Sequence, residues 1–343
     1  MTDDPIDLTS LLDIVARGED LEQADAERAF TAFMAGAASE IQMAGLLMGL
    51  RVKGVTPGEI AGGVRALRTA MLPVASADPD RLVDTAGTGG GTLTTFNIST
   101  AAAFVVAGAG APVAKHGNRS FTSRSGSADV LEALGVRIDL TPDAMSAVLA
   151  EAGIVFMFAP LLHPAMRHVG PVRRGLGVRT VMNVLGPLTN PAGARRQVIG
   201  VADPELLDLI PDALRALGHI RALVVHGEPG LDEVSPLGAT RVAELVDGEV
   251  RRYELTLDRL GIEPSEPGAL AGGEPEDNAR IVRAVLAGEK GAPRDAVVAN
   301  AAAALLVADL AQDWSDAADL ARDVLDDGRG EAALDRLVAA SNS

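Results

Sequence analysis

The chain has no cysteine, so disulfide bonds, thiol catalysis and cysteine-ligated metals are excluded. Aromatic residues make up only 3% of it, with one tryptophan and one tyrosine, while hydrophobic residues make up 48%. The core must therefore be built from alanine, valine and leucine, which suits closely packed helices and βα units better than a β-sandwich. No apolar run approaches the ~20 residues that span a bilayer, and the run at 101–114 is too short.

Positive charge is scarce as well. Thirty Lys and Arg residues stand against 47 Asp and Glu, a net charge of -17, which argues against nucleic acid or an anionic membrane as a partner. Any positive charge needed for phosphate must be local, and residues 115–124 form the best local cluster. The first ten residues are acidic and lack the pattern of a signal peptide, so we expect a soluble cytoplasmic protein.

Two loops carry the residues best suited to an anion. The first is the glycine run 87–91, and the second begins with KHGNR at 115–119 and continues with hydroxyl residues to 127. Adjacent glycines let backbone N–H groups point at one oxyanion, and a helix that begins near 97–100 adds its positive end. A single glycine run is often only a tight turn. Two such loops together favour a phosphate site.

Neither loop matches a standard nucleotide motif. No Gly-Lys-Ser/Thr follows the glycines, so the loop is not a Walker loop. A dinucleotide fingerprint is also a poor fit, because Thr92 replaces its last glycine and no acidic residue lies near position 112. A phosphorylated sugar is therefore favoured as the ligand.

The periodicity changes along the chain from helical to alternating. Residues 6–72 have helical apolar spacing, with a capping box at 56–59, and 73–79 form a linker. Strands are then predicted at 81–84, 111–115, 154–158, 198–202 and 221–226, with a hairpin at 247–248. Helices are predicted at 99–108, 127–134, 142–153, 204–217, 275–287, 293–311 and 316–327, and after 330. The fold class is α/β: a small all-helical domain and a large domain with a mainly parallel central sheet.

Seven motifs, in order along the chain, are similar to those of the anthranilate phosphoribosyltransferase family. They are GTGG–TFNIST, VAKHGNR, SGSADVLEALG, HPAM, VRRGLGVRT, NVLGPLTNP and VHGEPGLDE. One departure stands out: Gly91 and Thr92 occupy positions where the family usually has Asp and Gly.

The resemblance implies a nucleoside phosphorylase/phosphoribosyltransferase-like fold. A helical domain of residues 1–75, joined by a returning segment of about 164–189, would face an α/β domain of residues 80–343. It also implies a homodimer formed through the helical domain. This agrees with the helical pattern of residues 6–72, because four short helices make a small domain with one apolar face to spare. The implied reaction is pentosyl transfer from phosphoribosyl pyrophosphate to the amine of anthranilate, which gives N-(5-phosphoribosyl)anthranilate and pyrophosphate in tryptophan biosynthesis.

The resemblance also implies the roles of individual residues. The catalytic residues would be Lys115, Asn118 and Arg173. The phosphoribosyl donor would contact Gly87, Gly90, Gly91, Thr95, Asn97, Ile98, Ser99, Thr100, Lys115, His116, Gly117, Asn118, Arg119, Ser120, Phe121, Thr122, Ser123 and Ser127. Anthranilate would contact Gly87, His116, Asn118, Arg173, Gly186 and Pro187. Mg²⁺ would be the cofactor, bound by Ser99, Asp232 and Glu233.

Several residues allow a second interpretation. Asp232 and Glu233 follow a predicted strand, where parallel sheets bind ligands, yet spacing alone favours a solvated loop. Their oxygens suit Mg²⁺, and a guanidinium such as that of Arg173 pairs well with a carboxylate. His116 could be a general base or could shape the site. The other histidines form no metal pattern, and we expect His163 and His226 to be packing residues.

Two rival functions remain at this point. A pyrimidine nucleoside phosphorylase would share the fold, but its Lys-His-Ser-Thr-Gly-Gly signature is absent. A non-catalytic, nucleic-acid-binding relative would be basic, whereas this chain is acidic. Whether a glutamine amidotransferase binds cannot be decided from the sequence.

Overall fold

The computed structural model describes residues 7–120 and 124–343. Four helices come first, as predicted: α1 (Leu8–Ala16), α2 (Gln23–Met34), α3 (Glu40–Lys53) and α4 (Pro57–Ala70). The predicted capping box begins α4, because the Thr56 hydroxyl accepts from the Glu59 amide and the Glu59 carboxylate accepts from the Thr56 amide. Glu59 is fully buried and also accepts from Lys53 Nζ at 2.9 Å, which ties α3 to α4.

Seven strands form one sheet in the order β3-β2-β1-β4-β5-β6-β7. They are β1 (Val83–Asp84), β2 (Val113–Gly117), β3 (Ile154–Phe158), β4 (Arg196–Gly200), β5 (Arg221–Gly227), β6 (Thr240–Val246) and β7 (Glu249–Leu255). The first five strands pair in parallel, and β6 and β7 are antiparallel around the predicted hairpin at Asp247 and Gly248. The prediction of a mainly parallel sheet is confirmed.

Several strand boundaries differ from the predicted ones by one or two residues, and β2 covers 113–117 rather than 111–115. A short 3₁₀ turn occupies Pro79–Arg81, so β1 begins at Val83 rather than at 81. Strand β4 begins at Arg196 rather than at 198, because the backbones of its first two residues pair with β5. Both side chains are polar, so an apolar sequence pattern does not predict these first two residues of the strand.

Helices pack on both faces of the sheet. They are α5 (Ile98–Gly108), α6 (Ser127–Ala133), α7 (Pro142–Ala152), α8 (Ala159–Leu162), α9 (Met166–Leu176), α10 (Met182–Leu185), α11 (Leu206–Ala216), α12 (Pro275–Leu286), α13 (Ala292–Val307), α14 (Trp314–Asp326) and α15 (Arg329–Ser341). In β5, Leu223 and Val225 pack into one apolar cluster and Ala222 and Val224 into the other, as the alternation of side chains along a strand requires.

The α-helices of the sheet domain are rich in alanine, as the low aromatic content predicts. Helix α13 packs against α5, and each of its residues from 296 to 307 is buried. It ends at Val307, short of the predicted 311, because Asp309 adopts a positive φ of 56°. The one tryptophan, Trp314, begins α14 and donates from Nε1 to the Tyr253 hydroxyl of β7 at 3.1 Å.

The first four helices share one apolar cluster with the segment that returns to them. Helix α9 packs on α2 and α3, and α10 packs on α4. Val172 and Leu185 of this segment are buried with Phe30 and Leu47 of the N-terminal helices. The exact domain boundaries at 75, 80, 164 and 189 stay a prediction. Within the described residues, no helix combines the length and apolar character that crossing a membrane requires.

Helix α3 also has an uncovered apolar face. Ile41 is 85% exposed and Val52 is 81% exposed. They lie eleven residues apart, about three helical turns, and therefore on the same side of α3. The predicted spare apolar face of the helical domain is this one.

Candidate functional site

A cavity of about 670 Å³ opens at the carboxyl ends of β1, β2 and β4. Strand β1 lies between β2 and β4, so the chain moves outward from it in both directions. This is the topological switch point, where open parallel sheets bind ligands. Both predicted loops line the cavity, and so do Asp232 and Glu233, which follow β5.

The cavity brings together every predicted donor-binding residue that the structure describes. These are Gly87, Gly90, Gly91, Thr95, Asn97, Ile98, Ser99, Thr100, Lys115, His116, Gly117, Asn118, Arg119, Ser120 and Ser127. Phe121, Thr122 and Ser123 were also predicted, and they lie outside the described residues.

Backbone geometry explains the glycines of the first loop. Gly89 and Gly90 have φ angles of 66° and 87°, which favour glycine. A Cβ at Gly87 would lie 3.0 Å from the Gly200 carbonyl oxygen, and the Thr88 amide donates to that same oxygen at 2.9 Å. The loop is thus held against the end of β4. A Cβ at Gly91, whose φ is not positive, would lie 2.6 Å from Asp232 Oδ1.

Lys115 lies beneath the glycine loop and is only 4% exposed. Its Nζ donates to the Thr85 carbonyl at 2.9 Å, to the Thr85 hydroxyl at 3.1 Å and to the Ser99 hydroxyl at 3.4 Å. Burial lowers the pKa of Lys115, while the carboxylates of Asp84 and Glu233 raise it. The ammonium therefore links the first loop to the start of α5.

Asp84, at the end of β1, organises the floor of the site. It is fully buried and accepts from the His116 amide, from Asn190 Nδ2 at 2.8 Å and from Gln197 Nε2 at 3.2 Å. Burial raises the pKa of Asp84 to about 6, although the Lys115 charge acts in the opposite direction. One carboxylate thus joins β1, β2 and β4 beneath the cavity.

The acidic pair lies in a half-buried position, so the solvated loop that spacing alone favours is wrong. Glu233 Oε1 accepts from the Ser99 amide at 3.3 Å. Burial, and then the Asp232 charge, raise the pKa of Glu233 to about 8, and burial also raises the pKa of Asp232. Neither carboxylate makes an ion pair within 4.0 Å to a residue that the structure describes.

These oxygens fit a hard divalent cation. Two half-buried carboxylates without an ion-pair partner among the described residues gain from a nearby positive charge, and the Ser99 hydroxyl lies beside them. Among residues 7–120 and 124–343, no three or more His, Asp or Glu side chains cluster as a metal site. A bound Mg²⁺ would therefore take its remaining ligands from phosphate oxygens and water, as this ion commonly does.

His116 lies between the cavity and the returning segment. Its Nε2 is 3.1 Å from His163 Nε2, and its ring also donates to the backbone carbonyl of Gly186. Burial lowers the pKa of His116 to about 3 and that of His163 to about 4, so both are neutral at pH 7. The hydrogen bond to His163 and the contact with Gly186 hold the His116 ring in place. These contacts favour a role in shaping the site, which stays a prediction.

The two predicted packing histidines also make hydrogen bonds. His163 shares a hydrogen bond with His116, as described, and His226 donates from Nδ1 to the Val201 carbonyl at 2.8 Å. His163 is therefore part of the site's hydrogen bonding as well as its packing.

The predicted anthranilate residues fall into two groups. Gly87, His116 and Asn118 line the cavity, whereas Arg173, Gly186 and Pro187 do not. Gly186 contacts His116, and the Pro187 carbonyl accepts from Gln197 Nε2 at 3.0 Å. Arg173, on α9, is half-buried, and burial lowers its pKa. Its guanidinium makes no hydrogen bond or ion pair with any residue in the described part of the chain.

Arg119 is less available to a bound anion than its position in KHGNR suggests. Its guanidinium pairs with Asp129 at 2.6 Å and with Glu132 at 2.5 Å, and it lies over the Phe158 ring at 5.6 Å from the centroid. These two carboxylates already neutralise its charge. Its predicted contact with the donor stays a prediction.

The predicted site lacks several residues that line the cavity, among them Arg179, Asn183 and Asn300. Asn300 is a buried amide within the apolar α13. It accepts from the Val234 amide at 2.8 Å and donates to the Val234 carbonyl at 2.9 Å, which holds the chain just after the acidic pair. A polar residue inside an otherwise apolar buried helix is a signal that could have identified it.

Two family models together match most of the chain. The glycosyl transferase family helical bundle domain matches residues 9–71, and the glycosyl transferase family a/b domain matches residues 79–331. An anthranilate phosphoribosyltransferase from Thermomicrobium roseum is 52% identical over 337 residues, which cover 97% of each chain.

Solved structures agree with this match. The anthranilate phosphoribosyltransferase of Thermus thermophilus superposes with a TM-score of 0.92 at 45% identity, covering 97% of this chain and 99% of that one. The Saccharomyces cerevisiae enzyme was solved in complex with PRPP (phosphoribosyl pyrophosphate) and Mg. It superposes with a TM-score of 0.88 at 27% identity, covering 98% of both chains. On full-length identity and on fold, this chain belongs to the anthranilate phosphoribosyltransferase family.

Proposed function

We propose that this protein transfers the phosphoribosyl group of phosphoribosyl pyrophosphate (PRPP) to the amine of anthranilate, releasing pyrophosphate, in tryptophan biosynthesis. The observation that carries the proposal is the cavity at the switch point, where the glycine loop and the KHGNR loop meet a half-buried acidic pair. Family membership and the PRPP and Mg complex of the yeast relative support it.

The reaction is a displacement at C1 of the ribose. Negative charge develops on the departing pyrophosphate and positive charge on the ribose ring. Glycine-loop amides that are not taken by a backbone carbonyl would face the leaving group, and the charge of the buried Lys115 would stabilise it from below. Mg²⁺ bound at Ser99, Asp232 and Glu233 would neutralise further phosphate charge.

The chain's remaining task is to align the amine. An arylamine is neutral and nucleophilic at pH 7, so it needs little proton abstraction before it attacks. Arg173, which has no partner in the described chain, would pair with the anthranilate carboxylate, and Asn118 would receive the ortho-amine. Fixing the amine against C1 supplies the proximity that catalysis requires.

A coupled experiment tests the function. The fluorescence of anthranilate should fall only when PRPP and Mg²⁺ are both present, and no phosphate-dependent cleavage of thymidine or uridine should occur. Loss of fluorescence without PRPP, or no loss with all components, would contradict the proposal. The cytoplasmic location stays a prediction.

We also propose a homodimer that covers the exposed face of α3. Replacing Ile41 and Val52 by Glu should place charge in the contact and shift the protein from dimer to monomer in sedimentation experiments. Leu310→Glu is the matched control, since this residue is also exposed but lies far along the chain after α13. A parent protein that sediments as a monomer would rule out the dimer.

Gly91 should control the response to Mg²⁺. A side chain here would reach the carboxylate of Asp232, so Gly91→Asp should add a third carboxylate to the acidic pair. We expect a narrower Mg²⁺ optimum, with a higher requirement at low concentration and inhibition at high concentration. The φ of Gly91 is not positive, so backbone strain is not the expected cause.

The control for this prediction is Gly91→Asn, which has the same size without the charge. Both side chains must move the Asp232 carboxylate, which a Cβ would approach to 2.6 Å, so only the difference between Asp and Asn reports the added charge, and the Asp variant should have the narrower Mg²⁺ optimum. If the Asp variant melts like the parent and keeps the parent's profile, the metal explanation is wrong.

A further inference from the structure

Arg179 connects the returning segment to the glycine loop. It lies between α9, which ends at Leu176, and α10, which begins at Met182. Its Nη2 donates to the Thr88 carbonyl at 3.0 Å and to the Gly89 carbonyl at 2.9 Å. Its own carbonyl accepts from the guanidinium of Arg51 on α3. The residue thus reaches from the helical side of the cleft to the loop on the other side.

Arg179 is also the most available positive charge of the cavity. The described lining contains three basic side chains: Lys115, Arg119 and Arg179. The Lys115 ammonium donates inward to Thr85 and Ser99, and two carboxylates neutralise Arg119. Arg179 is exposed, and in residues 7–120 and 124–343 it makes no ion pair within 4.0 Å.

The guanidinium still has donors to offer a ligand. Only Nη2 is engaged, while Nε and Nη1 donate to no residue in the described part of the chain. Nη1 lies directly over the glycine loop, where it would clash with a Cβ at Gly90. A side chain at Gly90 would thus displace the guanidinium, which accounts for glycine there in addition to its φ of 87°.

We propose that Arg179 binds the pyrophosphate group of the phosphoribosyl donor, and this inference rests on the function proposed above. The charges around the cavity support it. In a pyrophosphate ester the outer phosphoryl group carries about -1.5 to -2 charges and the inner one about -1, and Asp232 and Glu233 add two acidic groups to the lining. A planar guanidinium binds phosphate oxygens through two parallel hydrogen bonds, which an ammonium cannot do.

Three variants test the proposal: Arg179→Ala, Arg179→Lys and, as the control, Arg174→Ala. Arg174 is also exposed and belongs to the same segment, but it does not line the cavity. For each folded protein we would measure the KM of both substrates, and the Kd of inorganic pyrophosphate with Mg²⁺ by titration calorimetry.

Arg179→Ala should raise the KM of PRPP and the Kd of pyrophosphate by about 10- to 100-fold, the range for hydrogen bonds to charged groups. The KM of anthranilate at saturating PRPP should stay near that of the parent. For Arg179→Lys, both constants should lie between those of the parent and those of Arg179→Ala, because lysine keeps the charge and loses the paired donors. Arg174→Ala should match the parent.

The outcomes separate this proposal from the proposed function. A parent that binds pyrophosphate but shows no turnover would refute the function, and the ratio of Kd values would still decide the role of Arg179. A parent that binds no pyrophosphate would refute both. If Arg179→Ala binds pyrophosphate like the parent, or loses affinity equally for anthranilate, the role proposed for Arg179 is wrong.

Discussion

Replacing Asp232 by Asn and Glu233 by Gln together is expected to abolish Mg²⁺-dependent turnover while the protein stays folded. The two carboxylates supply the negative oxygens that would hold the cation against the pyrophosphate, and amides bind Mg²⁺ poorly. Turnover should be measured across a Mg²⁺ titration. Near-normal activity of the folded double variant at limiting Mg²⁺ would refute the assignment.

Stability should change in a way that depends on pH. The pKa of Glu233 is raised from 4.5 to about 8 in the folded protein, so between these values the unfolded chain loses a proton that the folded chain keeps. This group therefore makes the metal-free protein less stable as pH rises through that window. The double variant lacks this group, so its melting temperature should fall less than the parent's from pH 5 to pH 8.

Glu228→Gln is the control for both measurements. Glu228 is an exposed acid five residues before Glu233, and it does not line the cavity. This variant should keep the parent's Mg²⁺ response and the parent's dependence of stability on pH. A loss of Mg²⁺ response in the control would show that any change in this loop disturbs the site.

Arg173→Ala should lower kcat/KM for anthranilate. The loss should correspond to ~2–3 kcal/mol of activation free energy, the range for hydrogen bonds to a charged group. The half-buried guanidinium has no partner in the described chain, and a substrate carboxylate would supply one. The KM of PRPP should hardly move. The measurement is steady-state kinetics with each substrate varied in turn.

The adjacent Arg174 again provides the matched control. It is exposed, so Arg174→Ala should leave both substrates unaffected. Equal losses for anthranilate and PRPP in Arg173→Ala would indicate a structural role for Arg173, because α9 packs on the N-terminal helices.

Local patterns predicted most of the fold. The capping box at Thr56, the Asp247-Gly248 turn and the alternation from strand to helix depend on residues close together in sequence, so the sequence alone identifies them. The errors were at boundaries. Strand β4 begins at polar residues whose backbones pair with β5, and α13 ends early at Asp309 with its positive φ. Both depend on tertiary neighbours.

The same distinction applies to the site. Its two loops and the acidic pair are contiguous motifs, which the sequence displays directly. The contacts that the prediction missed join distant positions: Arg179 to Thr88 across 91 residues, Asn300 to Val234 across 66, and His163 to His116 across 47. Spacing cannot indicate such pairs, because only folding brings their elements together.

The hydrogen-bonded pair of Trp314 and Tyr253 has an optical consequence. They are the chain's one tryptophan and one tyrosine, and both belong to the sheet domain, so α1 to α4 contribute no indole or phenol signal. Intrinsic fluorescence during denaturation will therefore report only on the sheet side, whereas far-ultraviolet circular dichroism reports on all helices. A gap between the two unfolding curves would measure how independently the helical bundle melts.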